Sequence, residues 1–506
     1  MLLPRCLVAS LTRRTSSRSF ERLSKPLLAE QELLNVARTR SHNIRSRNFR
    51  LLFSQCGKTR RRVSLRCYSS ASFSPPPLSF SFPTLDPSCF CSSVGSLVDL
   101  SEYLINGCKW TEAPPCPDYV GPVSIIRTPD GRGRGLYATC DVAAGDVLLV
   151  SNAFAATYND TDRVEMYFKI ASILKQSPRA LHQYYALAGN DDHDSIEVPD
   201  VKLYDPSIPY EDGGEVHAAL AFDEARVIHI MNVNSFSGEL KSAKTDPEMR
   251  LTGLWLLPSF INHSCTPNAS RLIVGEAMFI LAARNIRANE EITISYTDAM
   301  APLKRREDNL GQTGYGFRCE CKRCTLERSV QMDIEKFSDR YHVLYDKAAE
   351  EVYSAVTNTV VPSMGSCPAC AELYGVYHTL ARRVSSLKGL SKLEKQWILG
   401  GYSCAFLGQW IISGYASQFS PVSNFVNSTA LELIEAMKAT EAGLMRTLSF
   451  TTVLTLVAEK EKEKYAHLEL SLLNLALDEC IRIYGKQRLD VAVKLIEQAA
   501  GIVPFF

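Results

Sequence analysis

With 506 residues, 46% of them apolar, and a formal net charge of +1, the chain is long enough for two or three domains and apolar enough to bury a sizeable core. The near-neutral total hides an asymmetry: residues 1–70 hold sixteen Lys and Arg against three acids, leaving 40 basic and 52 acidic residues beyond them. That acid-leaning body argues against sequence-independent binding of nucleic acid and suits a cationic, Lys-rich protein partner, and no apolar run approaches the roughly 18 residues of a membrane span.

Residues 1–75 are rich in Arg and Ser and nearly free of acids. That composition fits an organelle transit peptide, a disordered basic tail or a nuclear address in Lys58-Thr-Arg-Arg-Arg62 about equally. The address is therefore nucleus or cytoplasm on one reading, chloroplast or mitochondrion on the other. Residues 76–120 read as a linker, since the Ser, Pro and Phe of Ser69 through Pro87 frustrate both helix and sheet. Cys89, Cys91, Cys108 and Cys116 share no metal-ligand spacing and are expected to be unligated.

From Val123 the pattern is β. Val123-Ser-Ile-Ile126, Gly135-Leu-Tyr-Ala138 and Asp146-Val-Leu-Leu-Val150 are short apolar runs punctuated by the turns Gly131-Arg-Gly-Arg-Gly135 and Ala144-Gly145. A lone Gly-x-Gly-x-Gly is a weak nucleotide-binding signal, and no helix of the dinucleotide kind follows it. Residues 160–230 read helical, with Val164, Tyr167, Phe168, Ala171 and Leu174 as the apolar stripe and a loop rich in Asp, Gly and Pro over 189–214. Then come Phe260-Ile-Asn-His-Ser-Cys-Thr-Pro-Asn268, the buried strand Met278-Phe-Ile-Leu-Ala-Ala283, a turn at Ala288–Glu291 and the strand Ile292-Thr-Ile-Ser-Tyr296. Cys319, Cys321 and Cys324 suit a tetrahedral metal ion in a reducing compartment, and structural zinc wants a fourth ligand. Beyond Arg328 apolar residues recur at helical spacing, and Leu470 to Val493 looks like one tetratricopeptide-type helix pair. Cys367 and Cys370 lack a partner pair and read as free thiols.

Taken in order, Gly131-Arg-Gly-Arg-Gly-Leu-Tyr-Ala138, the Phe260–Asn268 stretch, Glu290-Glu-Ile-Thr-Ile-Ser-Tyr-Thr-Asp298 and Tyr315-Gly-Phe-Arg-Cys-Glu-Cys-Lys-Arg-Cys324 resemble the signature of SET-domain protein lysine methyltransferases. The resemblance runs from residue 121 to residue 330. It implies an α+β fold: a SET domain over 121–300 with a helical insertion at about 155–250, a zinc-bound post-SET segment over 301–330, and a helical array over 331–506. It also implies S-adenosylmethionine as cofactor and a Lys-containing protein, such as a histone tail, as substrate. No cysteine lies between Cys140 and Cys265, so the MYND zinc module of one branch is absent. A core without that finger but with a helical tail resembles the plant and fungal branch.

By the same resemblance Arg132, Arg134 and Gly135 border the cofactor, Asn262 and His263 hold it, and Phe317 packs on its adenine. Val233-Asn-Ser-Phe236 looks like the stretch in which Asn234 meets the cofactor and Phe236 lines the lysine channel. Tyr296 is the expected catalytic residue, with Tyr315 and Phe236 as channel walls, and Cys265 is the implied fourth zinc ligand. The chemistry suits these residue types. Methyl transfer to an amine is driven by in-line positioning, a phenol oxygen can orient the methyl by weak C–H···O contacts, and an apolar channel disfavours the lysine's charged form. An alternative from another class is a SET-fold adaptor without turnover.

Overall fold

The computed structural model describes residues 117–159, 163–189, 198–210, 221–239, 250–312, 315–357, 368–403 and 429–440, with a few more between 474 and 483. The expectations for residues 1–75, for the linker as far as Cys116, for Cys367 and for almost all of the tetratricopeptide-like stretch lie outside these residues.

Eleven short strands make three sheets in the described residues. The first is ordered β1 (Tyr119–Val120), β4 (Val147–Asn152), β10 (Ala277–Ala282) and β9 (Ala269–Val274). The second runs β2 (Val123–Arg127), β3 (Arg134–Ala138), β11 (Glu291–Ile294) and β8 (Asn262–His263). The third is β5 (Ala155–Tyr158), β7 (Arg250–Leu254) and β6 (Phe236–Glu239). All six residues of β10 are buried because it is an inner strand with partners on both sides, which is why its sequence is continuously apolar. In the β2–β3 turn Gly131 and Gly133 have φ of 75° and 95°, a conformation that L side chains rarely adopt.

Helices α1 (Val164–Gln176), α2 (Pro178–Tyr185) and α3 (Glu224–Asn234) lie between β5 and β6. The insertion expected at 155–250 is thus helical at its centre and a small sheet at both ends. The starts of α2 and α3 follow from capping: the Ser177 side chain accepts from Ala180 N–H, with Pro178 at the first turn, and Asp223 accepts from Arg226 N–H. The stripe read for α1 holds at Ala171 and Leu174 and needs correction at Val164 and Phe168. Val164 and Phe168 are 55% and 64% exposed, whereas Met166, Ile170, Ala171 and Leu174 are buried. Two apolar rows compete on this helix, and the row carrying Met166 and Ile170 is the one that meets the core.

After β11 the chain is helical: α4 (Leu303–Gln312), α5 (Lys322–Ser329), α6 (Gln331–Thr357), α7 (Pro368–Ser386), α8 (Lys392–Gly400) and α9 (Thr429–Thr440). Asp333 pairs with Arg383 and Arg340 with Glu372, so α6 and α7 run antiparallel. Arg305 of α4 lies over the Tyr345 ring at 4.0 Å and bonds Asp346 at 3.0 Å, which ties α6 to the first helix after the strands. A second junction is the Ser270 hydroxyl of β9 donating to the Arg482 carbonyl. Among the described residues no helix is long and apolar enough to cross a membrane.

One buried amide joins two of the sheets. Asn268, 1% exposed just before β9, donates to the Glu291 carbonyl at 2.8 Å and to Glu290 Oε1 at 3.1 Å, and accepts from Thr293 N–H at 2.8 Å. Asn268→Ala removes all three bonds and leaves buried partners unmet, so it should cost about 2–4 kcal/mol in denaturant unfolding. A loss under about 0.5 kcal/mol, the usual range of surface changes, would contradict this role.

Candidate active site

Strands β8 and β11 run parallel, Asn262 opposite Thr293 and His263 opposite Ile294, and β11 continues antiparallel to β3. This pairing brings three motifs far apart in sequence into one place. Asn262 Nδ2 donates to the Arg134 carbonyl at 3.0 Å and to Glu291 Oε1 at 2.8 Å. The other Glu291 oxygen takes Arg132 Nη2 at 2.6 Å, and Arg132 Nε also bonds Asp130 at 2.6 Å. Glu291 therefore clamps the Gly-rich turn to the Asn-His motif. Gly135 sits under the clamp: a Cβ there would fall 2.8 Å from Glu291 Oε1 and 3.0 Å from Asn262 Nδ2. Arg134, whose carbonyl joins the same network, lays its half-buried guanidinium over Phe260 at 5.4 Å, and burial lowers its pKa.

His263 is buried and used at both nitrogens. Nδ1 accepts the Tyr296 N–H at 2.9 Å, so the ring's proton is assigned to Nε2, which points at Cys265 Sγ 3.3 Å away. Around it stand three aromatics. The Tyr296 ring is 5.3 Å from His263, 5.0 Å from Tyr315 and 6.5 Å from Phe317, and Phe317 is 6.0 Å from His263. The Tyr296 hydroxyl donates to the Ile261 carbonyl at 2.5 Å, and burial pushes its pKa up. It is a neutral phenol whose proton is committed and whose remaining lone pair is available. Tyr315 is 37% exposed and forms the outer edge of the cluster.

Phe236 belongs to a neighbouring aromatic group. Its ring meets Trp255 edge-on at 6.0 Å and lies under the Arg271 guanidinium at 5.2 Å, and the charge of Arg271 also bears on the Tyr296 phenol. Asn234 is buried, with Nδ2 donating to Ala188 at 2.7 Å and to Ile230 at 2.8 Å. Both of its N–H bonds point into the protein, so only Oδ1 remains for a ligand. A groove of about 620 Å³ between α5 and α8, with Leu326, Leu393 and Trp397 in its lining, contains none of these residues.

A family model described as "SET domain" matches residues 133–297, the stretch that holds β3 through Tyr296. This chain carries a SET domain. Relatives agree over parts of it. A "Methyltransferase" of Gibberella zeae is 25% identical over 247 residues, 43% of this chain and 33% of the relative. "N-lysine methyltransferase SMYD2-A" of Xenopus laevis is 32% identical over 142 residues, 27% of this chain and 30% of the relative. "Histone-lysine N-methyltransferase SMYD3" of Mus musculus is 40% identical over 88 residues, 17% of this chain and 20% of the relative. The matched part is thus about a third or less of each relative's length.

Beside the SET core, Cys265, Cys319, Cys321 and Cys324 place their sulfurs within 4.8 Å of one another. Cys265 comes from the turn after β8 and the others from the start of α5 and just before it. Cys324 Sγ is 3.4 Å from Cys265 Sγ, and Cys265, Cys319 and Cys324 are buried. Hydrogen bonding to Cys319 drives the Cys265 thiol far up, and the same bonding holds Cys319 far down. Four thiols so close cannot all ionise alone. A dication lets them, and an all-sulfur tetrahedral donor set fits zinc.

Reading the sequence did not single out Glu291, Ile261 or Arg271 as site residues. Glu291 had a signal, since it stands in the Glu290–Asp298 motif, but its partners Asn262 and Arg132 lie 29 and 159 positions away. Gly135→Ala should displace the Glu291 and Asn262 side chains and cost about 1–3 kcal/mol by overpacking. Denaturant midpoints check this, and an unchanged midpoint would show that the clamp yields freely.

Proposed function

We propose that the protein is an S-adenosylmethionine-dependent protein-lysine N-methyltransferase. The observation that carries the reading is the Tyr296 phenol, fixed by the Ile261 carbonyl inside the His263–Tyr315–Phe317 cluster and next to Asn262. Relatives named as N-lysine and histone-lysine methyltransferases are 32% and 40% identical to parts of this chain. A histone or other Lys-containing protein is accordingly the substrate class. Asn262, His263, Arg134 and Phe317 are the residues that would hold the cofactor.

The cofactor, when bound, supplies an electrophilic methyl on a sulfonium. To receive that methyl, a lysine amine would have to be held unprotonated and in line with it, and that holding falls to the residues around Tyr296. Tyr296 contributes an oxygen of fixed direction, because its own proton is spent on Ile261, so its lone pair can take weak C–H···O contacts from the methyl. Tyr315 and Tyr296 offer aromatic walls that hold the amine and keep water away. Arg271 places a positive charge near this channel, which disfavours the ammonium form of an incoming lysine.

Tyr296→Phe removes the fixed oxygen and keeps the ring. Turnover should fall by about a hundredfold, the scale of one preorganised transition-state contact, with cofactor binding nearly intact. Transfer of tritiated methyl groups to histones and to a proteome extract, beside cofactor titration, measures both. Equal incorporation by variant and wild type would remove Tyr296 from the chemistry.

The same reading includes a structural zinc on the four cysteines. Cys321→Ser should lower bound zinc well below one per chain and loosen the segment bearing Tyr315 and Phe317, weakening cofactor binding as well as rate. Elemental analysis with tryptic cleavage near Tyr315 reads the two effects separately. A variant that keeps full zinc would exclude Cys321 as a ligand.

A further inference from the structure

Two arginines and a glutamate lie sealed inside the protein beside the four thiols, and nothing in the methyl-transfer chemistry uses them. Arg306 of α4 and Arg323 of α5 are 0% exposed, and Glu327 of α5 is 5% exposed. Arg306 Nη2 bonds one Glu327 oxygen at 2.5 Å and Arg323 Nε the other at 2.7 Å. One carboxylate therefore stands between two guanidiniums, and the trio carries a net positive charge away from water. Arg306 Nη1 also donates to the Ala301 carbonyl and Arg323 Nη1 to that of Ala299, both in the loop that follows Tyr296.

A buried excess charge is costly unless something of opposite sign lies close by. Among the described residues the neighbour is the sulfur cluster: Arg306 Nη2 also points at Cys324 Sγ, 3.7 Å away. Four neutral thiols offer no such balance. A dication bound by four thiolates does, because it carries a net double negative charge. Among the described residues Arg306 Nε and Arg323 Nη2 have no hydrogen-bond partner, so the hydrogen bonds described do not by themselves balance the burial of these side chains.

From this we infer that Arg306, Arg323 and Glu327 form a buried, net cationic counter-charge that sets how tightly the four cysteines hold their metal. They are positioning residues, acting on the ion through the charge of its ligands. The inference rests on the zinc reading of those cysteines and not on methyl transfer. The carbonyl bonds to Ala299 and Ala301 would carry the effect to the loop behind Tyr296.

The sign of the charge separates this from a plain ion pair. Arg306→Gln and Glu327→Gln break the same contact, but the first lowers the local positive charge and the second raises it. The experiment loads the full chain with zinc, counts zinc per chain, and follows its transfer to a chromophoric chelator. Arg306→Gln is expected to give up zinc about 10–100-fold more readily, the usual effect of losing an outer-shell partner. Glu327→Gln is expected to hold zinc at least as tightly as wild type, and Arg306→Lys to recover most of the loss. If Arg306→Gln does not fold, Arg306→Lys is set against Glu327→Gln, and the glutamine variant must hold zinc more tightly. Equal loosening by Arg306→Gln and Glu327→Gln would overturn the inference, as would an Arg306→Gln chain that keeps zinc like wild type. A wild-type chain that takes up no zinc also ends it, and a separate methyl-transfer assay then shows whether the catalytic reading survives.

Discussion

The meeting of Cys265 with Cys319, Cys321 and Cys324 is the constraint on which the site depends. Cys265 belongs to the turn that follows β8, so wherever it is held, Asn262 and His263 are held too. The other three cysteines begin a few residues after Tyr315 and Phe317, and gathering four sulfurs within 4.8 Å leaves those aromatics little choice but to close over His263 and Tyr296. His263 is the link between the two halves. Its Nε2 faces Cys265, and its Nδ1 takes the backbone N–H of Tyr296. The imidazole thus stands between the Cys265 sulfur and the Tyr296 backbone N–H.

Local signals explain how much of the fold was readable in advance. The short strands around Ile125, Leu136, Leu149 and Ile280 stand out because each is an apolar run ended by a turn, and β10 reads as buried because no polar residue interrupts it. Helix α1 shows where that logic stops. Met166–Ile170 and Val164–Phe168 are both apolar pairs at helical spacing, and only the position of β5 and α3 decides which pair turns inward. Periodicity fixes that a helix forms but not which way it rolls.

The site divides the same way. The motif residues Asn262, His263, Tyr296, Tyr315 and Phe317 each sit in a short stretch with its own signature; the rings of the last four cluster, while Asn262 bonds the Arg134 carbonyl and Glu291. What holds them is different in kind. Glu291 clamping Arg132 and Asn262, the Ile261 carbonyl fixing Tyr296, and Glu327 between Arg306 and Arg323 are pairings between residues that look ordinary where they stand. Asn234 makes the converse point. It sits in a motif-like stretch, yet its amide hydrogens serve Ala188 and Ile230. A side chain's type is visible in a sequence, whereas the direction in which its hydrogen bonds are spent is not.

These commitments bear on how a methyl could be transferred here. In the aromatic cluster the Tyr296 proton is given to Ile261, and His263 has one nitrogen on a backbone N–H and the other on sulfur. Neither is free to accept a proton from an incoming lysine. Burial also keeps Tyr296 a neutral phenol, so it is no phenolate base at ordinary pH. Under the proposed function a lysine amine would lose its proton before it is enclosed, to water at the exposed edge marked by Tyr315, with the nearby charge of Arg271 and the apolar walls favouring that loss. On that proposal the protein's contribution to rate would lie in orientation and desolvation rather than in a general base. In the proposed arrangement the sulfur cluster and its buried arginines would keep that orientation, since Cys265 follows His263 and Cys319 follows Phe317 closely in the chain.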